Sequence, residues 1–280
     1  MKSRVSDMEG VRKAIAGRPV LYWEGDPWGQ GKPIPDEMRA WLSLAETVFS
    51  VGGRPQTQLL RNAGAARVVG TIHTYDHILF SDAEEGRTTR PITHDVVVLG
   101  SNLMRFPLIS GLPGSWQRYR LVARLRTDFG RRFLLGGPGW PRDWSVGAVP
   151  FNGQASFLQR GHVVANWDHY PGIHSYTSDR MAIAMIAGRV QVSTRHPRMD
   201  WLPGPKAGLF LAESPSQVRH IVHDVLRQAS ADDLGRAAHA WAHDRISHRQ
   251  AVRHMLSTVW DHVEPPPSDP WANIPREHDA

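Results

Sequence analysis

The stretch His174–Ser193, HSYTSDRMAIAMIAGRVQVS, decides how this chain is read. Met181, Ala184, Met185 and Ala187 are small or apolar enough to pack a helix on a sheet, and Gly188 permits the turn into the strand RVQVS. Packing does not account for the polar beginning. Ser178 or Thr177 is placed to cap the helix by accepting a hydrogen bond from a first-turn N–H, with Arg180 in that first turn. A cation there opposes the helix dipole and so calls for a reason. Free N–H groups, a positive dipole end and a guanidinium suit a phosphate or diphosphate. A helix that is merely capped is the plainer alternative.

Working outward, strand-like runs alternate with amphipathic segments. RPVLYWEGD, ETVFSVG and ARVVGTI read as strands, with helices over PIPDEMRAWLSLA and RPQTQLLRNAG between them. The polar stretch 81–94 reads as a linker. The pattern restarts at DVVVLGSN, a bare apolar strand running into a Gly-Ser-Asn turn. It continues through the helix SWQRYRLVARLRTDFG, the strands RRFLLGG and HVVAN, and the opening helix and strand. Beyond AGLFLAE the chain reads as helical up to a Pro-rich tail.

This alternation predicts an α/β fold with parallel sheets and right-handed crossovers, in two Rossmann-like units. The expected divisions are a short N-terminal unit over 1–80, a linker over 81–94, a C-terminal unit over 95–263 and the tail over 264–280. Ligands of such folds bind at the carboxyl ends of the strands, where WEGDPW, GSN, GGPGW and NWDHYPG gather.

Bulk composition sets outer limits. In 280 residues, 41% hydrophobic and 21% charged, eleven Trp argue for a packed globular protein. The absence of cysteine removes disulfides, thiolate zinc sites and cysteine nucleophiles, and fits a reducing compartment. No apolar run approaches a membrane span and the N-terminus lacks a signal-peptide core, so the expectation is a cytoplasmic protein without a membrane partner. Lys and Arg outnumber Asp and Glu by 33 to 27, which is compatible with a polyanionic or phosphate-bearing partner.

SDRMAIAMIAGRVQVS resembles the donor-site helix of GT-B glycosyltransferases, in particular the group related to the spore-maturation protein CgeB. Arg180, Ala184 and Gly188 fall on the Arg, the first Ala and the Gly of that group's R-x-x-E-A-x-A-x-G segment. HDVVVLGSN, RLRTDFGRRFLLGGPGW, GHVVANWDHYPG, AGLFLAESPSQVRHIVHDVLRQ and HRQAVRHML are similar to further pieces of the family, in the family's order, over residues 94–260. The resemblance implies a nucleoside-diphosphate sugar as donor substrate, an acceptor hydroxyl and no metal or other cofactor. Two departures stand out. The family glutamate that holds the donor ribose falls on Ile183, which leaves three alternatives: a grip from Asp168 or Glu213, a different donor, or a lost activity. VLYWEGDPW and GAARVVGTIHTYDHILF resemble only the second half of the family's N-terminal unit, so that unit reads as reduced, which suits a macromolecular acceptor, a partner subunit or a homo-oligomer.

Glycosyl transfer needs stabilisation of a departing diphosphate and a base near the acceptor hydroxyl. Arg180 with the N–H groups of Tyr176, Thr177 and Ser178 is the first candidate for the diphosphate, and Ser101 and Asn102 face it from the neighbouring turn. Gly137 and Trp140 lie on the loop that offers a stacking face to the nucleobase. Asn166, Asp168 and Tyr170 crowd the end of one strand, and His174 is placed to face diphosphate or sugar. Asp26 and His73 are the candidate bases. Glu24, Trp28, Arg120 and Arg124 are the candidate acceptor contacts, the two arginines one helical turn apart.

The His-rich C-terminal helices offer no convincing metal set. A small metabolite, a carrier and DNA, for instance a hydroxymethylated base, remain open as acceptors. A non-catalytic nucleotide- or DNA-binding module on the same scaffold is the rival reading.

Overall fold

The structure, a computed structural model, describes residues 7–29, 32–87, 90–106, 109–228, 230–268 and 270–271. Helix α1 (Met8–Ile15), which the sequence pattern did not announce, opens the chain. Strand β1 (Leu21–Glu24), helix α2 (Asp36–Leu44), strand β2 (Thr47–Ser50), helix α3 (Gln56–Asn62) and strand β3 (Val68–Gly70) follow. The three strands form a parallel sheet in the order β1-β2-β3. Met38, Leu42, Val48 and Leu60 close its core at the 3.6- and 2-residue spacings that face each element inward.

Helix α4 (Ser81–Glu84) lies inside the expected linker, and its Ala83 is buried in the core of the second unit. That part of 81–94 is therefore packed structure. Strand β4 (His94–Leu99) begins the second sheet. A small antiparallel hairpin, β5 (Met104–Phe106) and β6 (Ile109–Ser110), separates it from helix α5 (Ser115–Phe129). Strand β7 (Phe133–Gly136), helix α6 (Gln154–Leu158), strand β8 (Gly161–Ala165), helix α7 (Asp179–Ile186), strand β9 (Val190–Thr194) and strand β10 (Leu209–Ala212) complete it. The five strands are all parallel, in the order β10-β9-β8-β4-β7.

Alternate residues of β4 enter two cores: Val97 and Leu99 join α7, while Val96 and Val98 join Leu121, Val122 and Leu125 of α5. Burial on both faces explains the unbroken Val run. From β4 the chain goes to one neighbour, β7, and then to the other, β8. The carboxyl end of β4 is thus the point where strand order reverses, and ligands of open α/β sheets bind there.

Helix α8 (Pro215–Arg227) packs on the α5 side of the sheet and α9 (Ala231–Arg245) on the α7 side. The last helix, α10 (His248–Val259), serves both units, and its Ala251 is buried in the same core as α7 and α9. It crosses to the first sheet, where His254 meets Phe49 edge-on and Arg67 donates to the Thr258 carbonyl. At the crossing point Tyr75 N–H donates to Ile246 O (3.2 Å) and His248 N–H to Tyr75 O (2.9 Å). The described part of the tail is also docked, with Trp271 buried and stacked on His254. No helix among the described residues is long and apolar enough to cross a membrane.

Candidate active site

The loops that follow β4 and β7 are sewn together by their backbones. Gly100 N–H donates to Gly136 O (3.0 Å), Asn102 N–H to Pro138 O (2.9 Å), and the Asn102 side-chain amide to Gly139 O (3.0 Å). Gly137 has φ +122°, and a Cβ on it would lie 2.2 Å from the Gly100 carbonyl oxygen. Only glycine fits both demands. Trp140 departs from the expected stacking face: it is buried, donates its indole N–H to Gly100 O (2.7 Å) and stacks beneath Tyr119 and Trp144. A large amphipathic ring whose one polar group is satisfied belongs in the core, and here it anchors the Gly100 turn from below.

Two guanidiniums flank that turn. Arg118 projects from the apolar face of α5, with Nε donating to Trp167 O (2.5 Å), Nη1 to Ser101 O (3.4 Å), and Nη2 4.0 Å from Asp168 Oδ1. Arg180, in the first turn of α7, is held by Asp179, whose Oδ1 accepts from both its Nη1 (3.1 Å) and its backbone N–H (2.9 Å). A Cβ on Gly100 would stand 3.1 Å from Arg118 Nη1 and 3.5 Å from Arg180 Nε. The missing side chain keeps the space beside both cations open.

Burial, and then the nearby Arg180 charge, bring Arg118 down to about 9. Burial also opposes the charge of Arg180, but Asp179, Tyr176 and Asp168 outweigh it and hold its pKa above the ordinary value. Both remain cationic at neutral pH.

Asp168 sits behind them, fully enclosed. Its Oδ1 accepts from the Asn166 amide (2.7 Å), its Oδ2 lies 3.0 Å from His196 Nε2, and its N–H donates to Thr194 Oγ1 (2.7 Å). Burial works against its charge, but His196 and Arg118 prevail and lower it to about 2. Asn166 and Asp168 thus position Arg118 and His196 from a buried place that is not part of the crevice wall. Ile183 is fully buried in the core under the sheet.

The beginning of α7 differs from the expected cap. Ser178 takes the N-cap position but its side chain makes no capping bond, and its buried hydroxyl has no protein partner. Thr177 is turned the other way, its Oγ1 accepting from His73 N–H (3.3 Å). The helix end is therefore not closed by either hydroxyl, because Thr177 serves the contact between units instead.

His73, on the loop after β3, lies edge-on to Tyr176 at 6.2 Å between ring centres, with the Gly25 backbone against it. Burial pushes its pKa below the ordinary value, with Asp179 and Arg180 pulling in opposite directions. Asp26 pairs with Lys32 (3.4 Å). Both line the crevice between the units, a cavity of about 600 Å³ that also has Asn102, His169, Tyr170 and Tyr176 on its walls. His174 joins the units through its backbone: Gly53 N–H donates to His174 O (2.7 Å) and His174 N–H to Arg54 O (2.9 Å).

Glu24, Trp28, Arg120 and Arg124, the expected acceptor contacts, do not line the crevice itself. Glu24 is buried, accepting from Asp26 N–H (2.8 Å) and Tyr22 O–H (2.9 Å), so it shapes the loop on which Asp26 rides. Trp28 is buried in the core of the first unit, and its N–H donates to Gln56 Oε1 (2.7 Å). Arg120 and Arg124 line a different cavity, between α5 and α8. Among the described residues no group of three or more His, Asp or Glu side chains is arranged to hold a metal ion.

Sequence reading missed Arg118, His196 and the pairing of His169 Nδ1 with Ser115 Oγ (3.0 Å). For Arg118 a signal existed, since it stands three and four residues before Leu121 and Val122, on the buried stripe of α5. A cation there has to be paired or used.

His169 carries a testable consequence. Burial first, then Arg118 and Arg180, lower it to about 3. An unfolded His takes up its proton near pH 6.5, so between pH 6.5 and about 3 the unfolded chain binds the proton and the folded one does not. Stability is expected to fall as pH drops through that window, with His73 adding in the same direction. Thermal melts at pH 7.5, 6.0 and 5.0 in constant salt check it, and a melting temperature that rises on acidification contradicts it.

No curated protein gives a significant match to the chain. Solved structures that resemble it include Anabaena Alr3699/HepE in complex with UDP and glucose, at 15% identity and a TM-score of 0.59 over 90% of this chain and 74% of that one. Sucrose-phosphate synthase from Thermosynechococcus elongatus follows at 14% and 0.53, over 79% of this chain and 62% of that one. A UDP-forming trehalose-phosphate synthase from Burkholderia xenovorans aligns at 10% and 0.53, over 84% and 67%. At such identities the likeness speaks for the fold alone. The sequence carries more, because the family model described as glycosyl transferase-like matches residues 117–257, half of the chain with both guanidiniums in it. The chain belongs to the glycosyl transferase-like family.

Proposed function

We propose that the protein transfers a glycosyl group from a nucleoside-diphosphate sugar to an acceptor hydroxyl, with guanidiniums supplying the positive charge in place of a metal. The observation that carries this reading is the convergence of Arg118 and Arg180 beside Gly100, at the strand-order reversal and next to the uncapped start of α7. As the bond from the sugar C1 to the diphosphate oxygen breaks, negative charge builds on the leaving group. Donors that are already oriented stabilise it without rearranging. Arg118 is fixed by Trp167 and Ser101, Arg180 by Asp179, so both are set before a ligand arrives. Tyr176, Thr177 and Ser178 carry the chain into that helix end.

On the facing unit, His73 is neutral at pH 7 and takes the proton from the acceptor hydroxyl as its oxygen bonds to C1. Asp26 is the second choice, since Lys32 already shares its charge. Glu213, exposed just past the end of β10, is the remaining candidate for the ribose. The Anabaena structure contains UDP and glucose, which makes uridine nucleotides the first donors to try.

Arg180→Ala tests the reading. Loss of charge-assisted hydrogen bonds is expected to weaken nucleoside-diphosphate binding by about 10- to 100-fold. The melting temperature should stay within a few degrees, because the Arg180 side chain is only partly buried. Calorimetric titration with UDP, GDP, ADP and dTDP reads the affinity, and an unchanged dissociation constant would refute the assignment. Binding with no nucleotide release from any sugar donor would favour the binding-module alternative.

A further inference from the structure

Four aromatic rings form a column on the flank of the second unit. Trp116 and Tyr119, on the first turns of α5, stack at 5.8 Å with planes 8° apart. Tyr119 stacks in turn on Trp144 (5.5 Å) and on the buried Trp140 (6.1 Å), and Arg126 lies over Trp144 at 5.2 Å. Trp116 ends the column with 41% of its surface exposed. An ordered stack with one free end presents a flat π-face to solvent.

The same helix adds charge along the same line. Trp116, Arg120 and Arg124 are spaced by four residues, which puts them on one face of α5. Both arginines are exposed, and no ion pair to either exists among the described residues. Like charges one turn apart repel, so the arrangement is more stable with an anion between them. They border a cavity of about 320 Å³ with Ser214, Ser216 and Arg219, the last of these paired to Asp128. Trp116 also adjoins Ser115, whose hydroxyl meets His169 on the crevice wall.

We propose that this flank binds a single-stranded nucleic acid, an unpaired base stacking on Trp116 and the adjoining phosphates meeting Arg120 and Arg124. Aromatic platforms interleaved with a basic track are how strands are held without sequence preference. One exposed ring followed by two guanidiniums, unpaired among the described residues, at four-residue steps favours a base and its phosphates over a neutral glycan. The net charge of +6 acts in the same sense. In this way the acceptor hydroxyl would be carried on a nucleic acid strand, an extension that rests on the glycosyl-transfer reading, whereas the binding surface itself does not.

Fluorescence anisotropy of a labelled 20-nucleotide strand, as DNA and as RNA, tests the surface in the full chain. The expected result is salt-dependent binding that is stronger for single strand than for duplex. Trp116→Ala should weaken it about ten-fold. Arg120→Glu with Arg124→Glu should abolish it at physiological salt, and replacing both by Ala should flatten the log–log salt slope by about 1.4. All three side chains concerned are on the surface, and UDP binding by calorimetry should stay unchanged in each variant. No binding at 50 mM salt, binding that survives both sets of substitutions, or preference for duplex or a heparin fragment would each overturn the proposal. A wild type that holds the strand and ignores every nucleoside diphosphate would sink the transfer reading and leave this surface standing.

Discussion

Replacing His73 with alanine is expected to lower turnover by about two to four orders of magnitude while donor affinity hardly moves. His73 stands on the first unit's side of the junction, against Gly25 and against Tyr176 of the crevice wall, whereas the guanidiniums come from the second unit. Removing it takes away the proton acceptor and leaves the diphosphate grip intact, so KM for the donor and the dissociation constant of UDP should stay near wild type.

The pH profile makes the assignment sharper. Burial lowers the His73 pKa, so the free imidazole persists to lower pH than an ordinary histidine, and kcat/KM should decline only below about pH 6.5. That acid limb should vanish from the residual activity of His73→Asn. If the limb persists there and is lost in Asp26→Asn, the base is Asp26.

Arg118→Leu is the second substitution with a large expected effect, and it acts on folding as well as on binding. The side chain satisfies the Trp167 and Ser101 carbonyls and neutralises Asp168, and both charged groups are buried. Leucine fills part of the volume but leaves a buried carboxylate with one partner fewer. Breaking a buried pair from one side costs about 3–5 kcal/mol. For a chain of this size that corresponds to a drop of roughly 10 °C in melting temperature. Nucleoside-diphosphate binding should fall as well, by at least as much as in Arg180→Ala. Asp168→Asn in the Arg118→Leu background should recover part of the lost stability, because it removes the stranded charge. A single variant that melts like wild type would show that Arg118 is not paired as described.

What could be read in advance follows from what a short stretch contains. DVVVLGSN announces a bare apolar strand, and the strand is there, with its alternate residues in two cores. SDRMAIAMIAG announces a buried helix, since its apolar residues occupy every face. HRQAVRHML announces α10 as a helix but not its destination, because an amphipathic pattern says which side is apolar and not what will cover it. Trp140, Glu24 and Trp28 were misplaced for a related reason. Trp and Glu in a loop look available, but the Gly100 carbonyl internalises the Trp140 indole, the Asp26 N–H holds Glu24, and the apolar core of the first unit takes Trp28. Arg118 and His196 stand 78 positions apart in the chain. They meet only through Asp168, and such a three-body arrangement has no local signature.

The return of α10 to the first sheet has a consequence for how the two halves can behave. The outgoing stretch after β3 and the incoming stretch at residue 247 run side by side, held together at Tyr75 and Ser247. Two adjacent crossings at one edge, with the bonds of Gly53 and Arg54 to His174 as a further tie, keep the lobes from drifting apart and hold the walls of the fissure in one alignment. Neither lobe can be cut out as an autonomous piece, since the smaller would lose the helix that roofs Phe49.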